Sequence, residues 1–439
     1  MFDFLKYIQP ANYYRLINRI TQAVLVDDSG SITGLKNSYS DLQTAKLDVL
    51  YQCLQSGKIP SNEQNRNPFQ DLRITNVKDN YVFIRRFFSP IQLIYVLVVR
   101  LFSFKNPLFE LYAFFNALVR SKRISIESQK YTDWNTFKSI LTKKNPLVSV
   151  IIPTLNRYEY LKDVLADLEL QDYQNFEVIV VDQSEPVDVK FYEGWNLKIQ
   201  LIQQEEKALW LARNRAIETS EGEYILLFDD DSRVDFDWIT NHLKCLDFFN
   251  VQISAGVTHT LVGNGLGKKD AHFHLSDVFD TGNAMVHRSV FENVGLFDRQ
   301  FEKQRMGDSE FGLRSLLGGY NIISNPYSKR IHLKVETGGL RQMGSWDALR
   351  PKSLFAPRPV PSVLYLIRKY YGNQEAVYYL IKNIPQSYMP YKFKKNKIMR
   401  LAYSLIFPLF VPIAFVAVYQ SWKMASIKIN EGSRIDKLN

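Results

Sequence analysis

The chain has 439 residues, 46% hydrophobic and 23% charged, which is a globular composition with room for two or three domains; it excludes a disordered tail or a collagen. Its two cysteines, Cys53 and Cys245, form no CxxC, which excludes a disulfide framework and a cysteine zinc site. The net charge of +10 is unevenly spread: residues 1–145 carry 20 basic against 11 acidic side chains, 146–389 carry 26 against 32, and 390–439 carry 9 against 2. An acidic centre between basic, apolar ends argues against a nucleic-acid reader and for an anionic membrane surface.

In chain order, residues 1–145 read as a basic, mainly helical region. The start carries Asp3 and lacks an uninterrupted apolar h-region, so no secretory signal is expected and the catalytic part is placed in the cytoplasm. Ile91 to Phe102 and Pro107 to Val119 are apolar but interrupted by Arg100, Lys105 and Glu110. They are too broken to span a bilayer and suit amphipathic helices lying in an interface, or an ordinary helical core.

The pattern then changes. Leu147–Ile152, Phe176–Val181, Ile199–Ile202 and Tyr224–Phe228 are short β-branched or apolar runs, and Arg157–Leu170 and Leu209–Thr219 have helical spacing. Strands alternating with helices over short connections imply a parallel sheet covered by helices, with the ligand outside the carboxyl ends of the strands. Those ends are polar: Pro153-Thr154 with Asn156 nearby, Asp182, and Asp229-Asp230-Asp231. Three adjacent carboxylates repel one another unless water or a cation intervenes, and Asp229 and Asp231 offer hard oxygen ligands for Mg²⁺ or Mn²⁺.

Further on, Gly263-x-Gly265-x-Gly267-Lys268 lacks phosphate-loop spacing, and His272-x-His274 lacks a third zinc ligand. Leu401 to Tyr419 has no charge over 19 residues and follows Lys392, Lys394, Lys395, Lys397 and Arg400. A helix of that length is about 28 Å long, close to the hydrocarbon thickness, although Pro408 and Pro412 leave an in-plane segment as an alternative to a span.

VSVIIPTLNRYEYLKDVLADLELQDYQNFEVIVVDQS, ALWLARNRAIETSEGEYILLFDDDS, TGNAMVHRSVFENVGLFD and GDSEFGLRSLLGGY resemble, in order, the signatures of glycosyltransferase family 2, inverting enzymes of the GT-A fold. The resemblance covers roughly residues 146–340. It implies a Rossmann-like, mostly parallel sheet flanked by helices, a nucleoside-diphosphate sugar donor, a divalent metal, and direct displacement at the anomeric carbon. Pro153, Thr154, Asn156 and Arg157 match the loop that packs on the nucleoside, Asp182 the acid that bonds the base, and Arg213 and Asn214 the ARN element. Asp229 and Asp231 match the metal-binding DxD, and Asp230 between them is grouped with the nucleotide.

By the same resemblance Asp308 matches the catalytic base, and Gly282 and Asn283 lie beside sugar and acceptor; Glu310, two positions along, orients the acceptor or caps the helix. Gly307 stands where the family commonly has Glu. His332 matches a histidine that completes the metal site or touches the diphosphate. The expected organisation is a helical region 1–145, a GT-A domain 146–350, and a helical region 351–439 with a membrane-associating segment at 401–419. The expected enzyme works at the cytoplasmic face of the membrane on a glycan or lipid-linked acceptor in surface polysaccharide assembly. A sugar-nucleotide or nucleotidyl transferase, and a catalytically idle scaffold, are the rival readings; the oligomeric state is not legible.

Overall fold

A computed structural model describes residues 2–9, 38–59, 75–260, 270–276, 279–333, 335, 339, 348–349, 353–390, 393, 396, 399, 402–403 and 406–438. The helices in chain order are α1 (Leu5–Ile8), α2 (Leu42–Ser56), α3 (Val77–Phe87), α4 (Pro90–Phe102), α5 (Pro107–Arg120), α6 (Ile140–Lys144), α7 (Tyr158–Glu169), α8 (Leu209–Thr219), α9 (Trp238–Phe249), α10 (Arg288–Val294), α11 (Gly307–Leu317), α12 (Pro361–Tyr371), α13 (Asn373–Ser387) and α14 (Val411–Glu431). The chain forms two compact units, 1–129 with 367–405, and 130–366 with 406–439. The C-terminal region expected as one piece is therefore shared between them.

The first unit is helical. Side-chain acceptors start its longer helices: Asp41 accepts from the Thr44 amide, Asn76 from Asp79, and Ser89 with Gln92 closes a capping box ahead of Pro90. Its core is aromatic, with Phe2 stacked on Phe83 at 3.8 Å and Tyr51 edge-on to Phe83 at 4.9 Å. Two buried charges are paired there: Asp48 with Arg86 at 2.8 Å, and Glu110 with Arg100 and the Tyr81 hydroxyl.

The second unit is a sheet in the order β3-β2-β1-β4-β8-β6-β9-β5, with β7 beside β9. The strands are β1 Val148–Thr154, β2 Phe176–Asp182, β3 Ile199–Gln203, β4 Tyr224–Phe228, β5 Ser232–Val234, β6 Ile253–Thr260, β7 His274–Leu275, β8 Asn283–His287 and β9 Ile322–His332. Neighbours among β1 to β4 are parallel, as the helical crossovers demand, and β1, β2 and β4 are buried on both faces by α7 and α8 and their neighbours. From β8 onward the sheet is mixed: β8 runs antiparallel to β4 and β6, β9 is parallel to β6, and β5 is antiparallel to β9. This direction change brings the start of β8 to the end of β4, where Asn283 faces Phe228, and the end of β9 to β5, where His332 faces Ser232.

Helix α14 covers the second half of the expected segment, Ala402, Tyr403 and Ile406 ahead of it are also helical, and Leu401, Ser404, Leu405 and the basic residues Lys392, Lys394, Lys395, Lys397 and Arg400 lie outside the described residues. Phe407–Glu431 is long and apolar enough to cross a membrane, and only 22% of its most apolar window is buried. Its far end is bound to the rest of the second unit. Lys428 Nζ donates to the Gln300 carbonyl at 2.6 Å, Arg434 N to Asp298 Oδ1 at 2.9 Å, and Leu296 N to the Asp436 carbonyl at 2.9 Å.

Candidate active site

The carboxyl ends of β1, β2 and β4 and the end of β9 converge on one edge of the sheet. Asp229 Oδ1 accepts from Arg213 Nη2 at 2.9 Å, and its Oδ2 accepts from Arg330 Nη1 at 2.7 Å. Arg157 Nη1 bridges Asp230 Oδ1 at 2.9 Å and Asp231 Oδ2 at 3.0 Å, while Thr154 Oγ1 donates to Asp230. Arg330 also pairs with Asp280 at 3.0 Å. Four carboxylates thus face three guanidiniums, and the surplus negative charge is one that a cation would balance.

Asp229, Asp231 and His332 can each present a ligand atom with all three within 4.8 Å of one another. His332 Nε2 lies 3.3 Å from Asp231 Oδ1. Burial by itself would raise the Asp231 pKa, but His332 and Arg157 outweigh it and hold this carboxyl below its ordinary value. Asp230 behaves oppositely: burial dominates over Arg157 and pushes it up to about 6. Two carboxylates with one imidazole form a donor set suited to Mn²⁺ or Mg²⁺, and the arginines fix the orientation of the carboxylates.

Asp182 ends β2 as a buried acceptor, taking Oδ2 bonds from Tyr158 at 2.7 Å and Tyr192 at 2.8 Å and an Oδ1 bond from the Ser184 amide. Asn156 reaches this corner by its backbone, whose N–H donates to Ser184 Oγ at 2.8 Å, and it holds φ +52. Pro153 is buried within β1. Gly339 lies here as well: its N–H donates to the Leu155 carbonyl, and a side chain at Gly339 would strike the Arg157 guanidinium at 2.3 Å.

Residues 149–299 match the family model for glycosyl transferase family 2. This stretch is a family 2 glycosyl transferase domain. The glycosyltransferase GlyA of Streptococcus pneumoniae serotype 4 is 24% identical over 261 residues, 58% of this chain and 32% of its own. The glycosyltransferase AglE of Haloferax volcanii is 27% identical over 201 residues, 42% of this chain and 65% of its own. The putative teichuronic acid biosynthesis glycosyltransferase TuaG of Bacillus subtilis is 29% identical over 215 residues, 43% of this chain and 84% of its own. The chain thus spans less than two thirds of the length of the first two of these relatives. Staphylococcus aureus TarS 1–349, solved with UDP-GlcNAc, is 18% identical, covering 65% of this chain and 92% of that one at a TM-score of 0.44. The sheet with its flanking helices is the GT-A arrangement expected from the four motifs.

Within the family 2 domain, some expected residues sit away from the open edge. Asn214 is buried, donating to the Phe297 carbonyl and accepting from the Phe297 amide at 3.0 and 2.9 Å; it ties α8 to the loop before α11 instead of touching a nucleotide. Asn283 is fully buried, its amide taken by the Val257 and Ser328 carbonyls and its oxygen by Trp238 and His242, so it fastens β8 inside the sheet and cannot meet an acceptor. Glu310 is fully buried against Arg314 at 3.0 Å, which removes it from acceptor binding as well. Gly282 does lie at the centre: a Cβ there would sit 1.8 Å from Arg330 Nη1 and 2.3 Å from Asp229 Oδ2.

Asp308, in the first turn of α11, is half-buried, and burial raises its pKa above the ordinary carboxylate value. The departure at Gly307 has a steric cause. A Cβ there would fall 2.3 Å from Trp210 Cζ2, and that indole is held by its Nε1 donating to the Phe301 carbonyl. Trp210 therefore fills the space a longer side chain would take. Sequence reading missed Arg330 and Asp280. Arg330 was within reach, because it precedes His332 by two positions in a strand and so faces the same side.

Proposed function

We propose that the chain is a metal-dependent, inverting glycosyltransferase that moves a sugar from a nucleoside-diphosphate sugar to a glycan or lipid-linked acceptor in surface polysaccharide synthesis. The observation that carries this is the convergence of Asp229, Asp231 and His332 at the strand ends of a family 2 domain. Mn²⁺ or Mg²⁺ held there would neutralise the departing diphosphate. Asp182, with its two tyrosine donors, marks the base end of the donor site, and Arg157 and Arg213 hold the acids in register. Asp308 takes the acceptor hydroxyl's proton as that oxygen attacks opposite the leaving group; its raised pKa brings it nearer the value an efficient base needs. We place the enzyme at the cytoplasmic face of an anionic membrane, with the exposed apolar face of α14, including Phe415 and Tyr419, as the contact.

The test is a thermal-shift titration of nucleotides and nucleotide sugars with and without Mn²⁺, since a ligand bound to the folded state raises its melting temperature. Asp231→Asn is expected to abolish the metal-dependent part of the shift while leaving the unliganded protein folded. An unchanged Mn²⁺-dependent shift in that variant would overturn the metal assignment. Release of pyrophosphate in place of a nucleoside diphosphate would favour a nucleotidyl transferase, and absence of donor hydrolysis an idle scaffold.

A further inference from the structure

In a water-soluble helical hairpin the large apolar residues face inward. Helix α5 reverses this, and α4 is apolar on both its buried and its exposed sides. The buried stripe of α5 is Glu110, Ala113 and Ala117, packed against α3 and α4, while Leu108, Leu111, Tyr112, Phe115, Leu118 and Val119 are exposed. Helix α4 buries Leu93, Val96, Leu97 and Arg100 and exposes Ile91, Ile94, Val98 and Phe102 on its other side. The tip is the extreme case: Phe102 at the end of α4, Phe104 in the turn and Leu108 at the start of α5 are 82%, 98% and 79% exposed. Phe104 also has φ +54, a region where a bulky residue is uncommon, so neither backbone preference nor burial among the described residues accounts for a phenylalanine at that point.

An apolar surface of this extent marks an interaction site. Charge identifies the occupant. Between Asp79 and Glu127 the one acidic residue is Glu110, and it is buried against Arg100. Lys105, Arg120, Lys122 and Arg123 are exposed beside the apolar residues, and Arg85 is half-exposed. Two copies of this face would bring like charges together, whereas an anionic lipid headgroup layer over hydrocarbon matches both features.

The geometry points to the α4–α5 hairpin as a membrane-inserting element that enters an anionic bilayer surface by its tip. The inference deepens the proposed membrane placement and is independent of α14 and of the transfer chemistry. At 13 and 14 residues the two helices are too short to cross the bilayer, so the hairpin is monotopic.

The test uses the full chain with vesicles of phosphatidylcholine alone or mixed with phosphatidylglycerol, at low and high salt. The variant Phe102→Ser/Phe104→Ser/Leu108→Ser is expected to lower the partition constant on mixed vesicles by about 10²-fold at either salt concentration, because its loss is apolar. Lys105→Ala/Lys122→Ala/Arg123→Ala is expected to weaken binding at low salt only. A Phe104→Cys protein carrying an environment-sensitive fluorophore should shift to the blue on mixed vesicles and be quenched by brominated lipid chains. Retained circular dichroism and nucleotide affinity separate loss of the hairpin contact from loss of the enzyme. A label that stays water-exposed at saturating vesicles would overturn the inference. So would a serine variant that turns a dimer into a monomer with unchanged vesicle binding, which would make the face a contact between copies.

Discussion

The sheet domain and the α4–α5 hairpin solve opposite problems with the same residue types. In the sheet domain, Phe228, Phe291, Phe297 and Trp238 are fully buried, and Asp229, Asp230, Asp231 and Asp280 sit at the rim, each paired with an arginine. In the hairpin, the charged pair Arg100–Glu110 is inside and the phenylalanines are outside. The contrast shows what burial is for in each place. The sheet uses apolar burial for stability and leaves charge where chemistry needs it; the hairpin uses a buried ion pair with Tyr81 to hold two helices together while its apolar surface stays free.

This comparison can be broken. The largest effect is expected from Glu110→Ala, which strands the Arg100 charge in the interior and should destabilise the first unit by about 3–5 kcal/mol, against under about 0.5 kcal/mol for Phe104→Ser six positions earlier. Urea unfolding of both variants checks it, and a Phe104→Ser protein as unstable as Glu110→Ala would mean that the tip is packed after all. Next comes Asp308→Asn, expected to slow transfer by about 10²-fold with donor affinity nearly unchanged. As the proposed base, Asp308 would act only when ionised, and its pKa is raised, so the wild-type rate should fall with acidification at a higher pH than an ordinary aspartate gives, and a pH–rate profile would show it. Wild-type turnover in Asp308→Asn would move the base to another carboxylate. The smallest is Gly307→Ala, where the new methyl presses on Trp210 and should cost about 1–3 kcal/mol. Adding Trp210→Phe should return part of that loss; if thermal melts of the single and double variants coincide, the steric reading of Gly307 fails.

Much of the parallel half was legible because its signals are local. Leu209–Thr219 and Tyr224–Phe228 appear in the structure with the limits expected from spacing alone, and β1 and β2 extend only slightly past their expected ends. The mixed half was not legible in the same way, since pairing of β8 with β4 and of β9 with β6 depends on contacts between residues far apart in sequence. The site follows the same divide. Asp229, Asp231 and His332 were grouped by motif and do meet, while Asn283 and Glu310 have the right residue types but a buried side chain. Polarity in a sequence does not distinguish an amide that binds substrate from one that satisfies backbone carbonyls inside a sheet.

The backbone bond from Leu296 to Asp436 joins positions 140 apart in the chain. At synthesis rates of roughly 5–20 residues per second, the loop leading to Asp308 emerges some 7–28 s before the strand of chain that closes it. Helix α14 is made within that interval. A nascent chain would therefore present the exposed apolar face of α14 before the loop ahead of α11 is closed, so that closure of that loop is among the last steps of assembly.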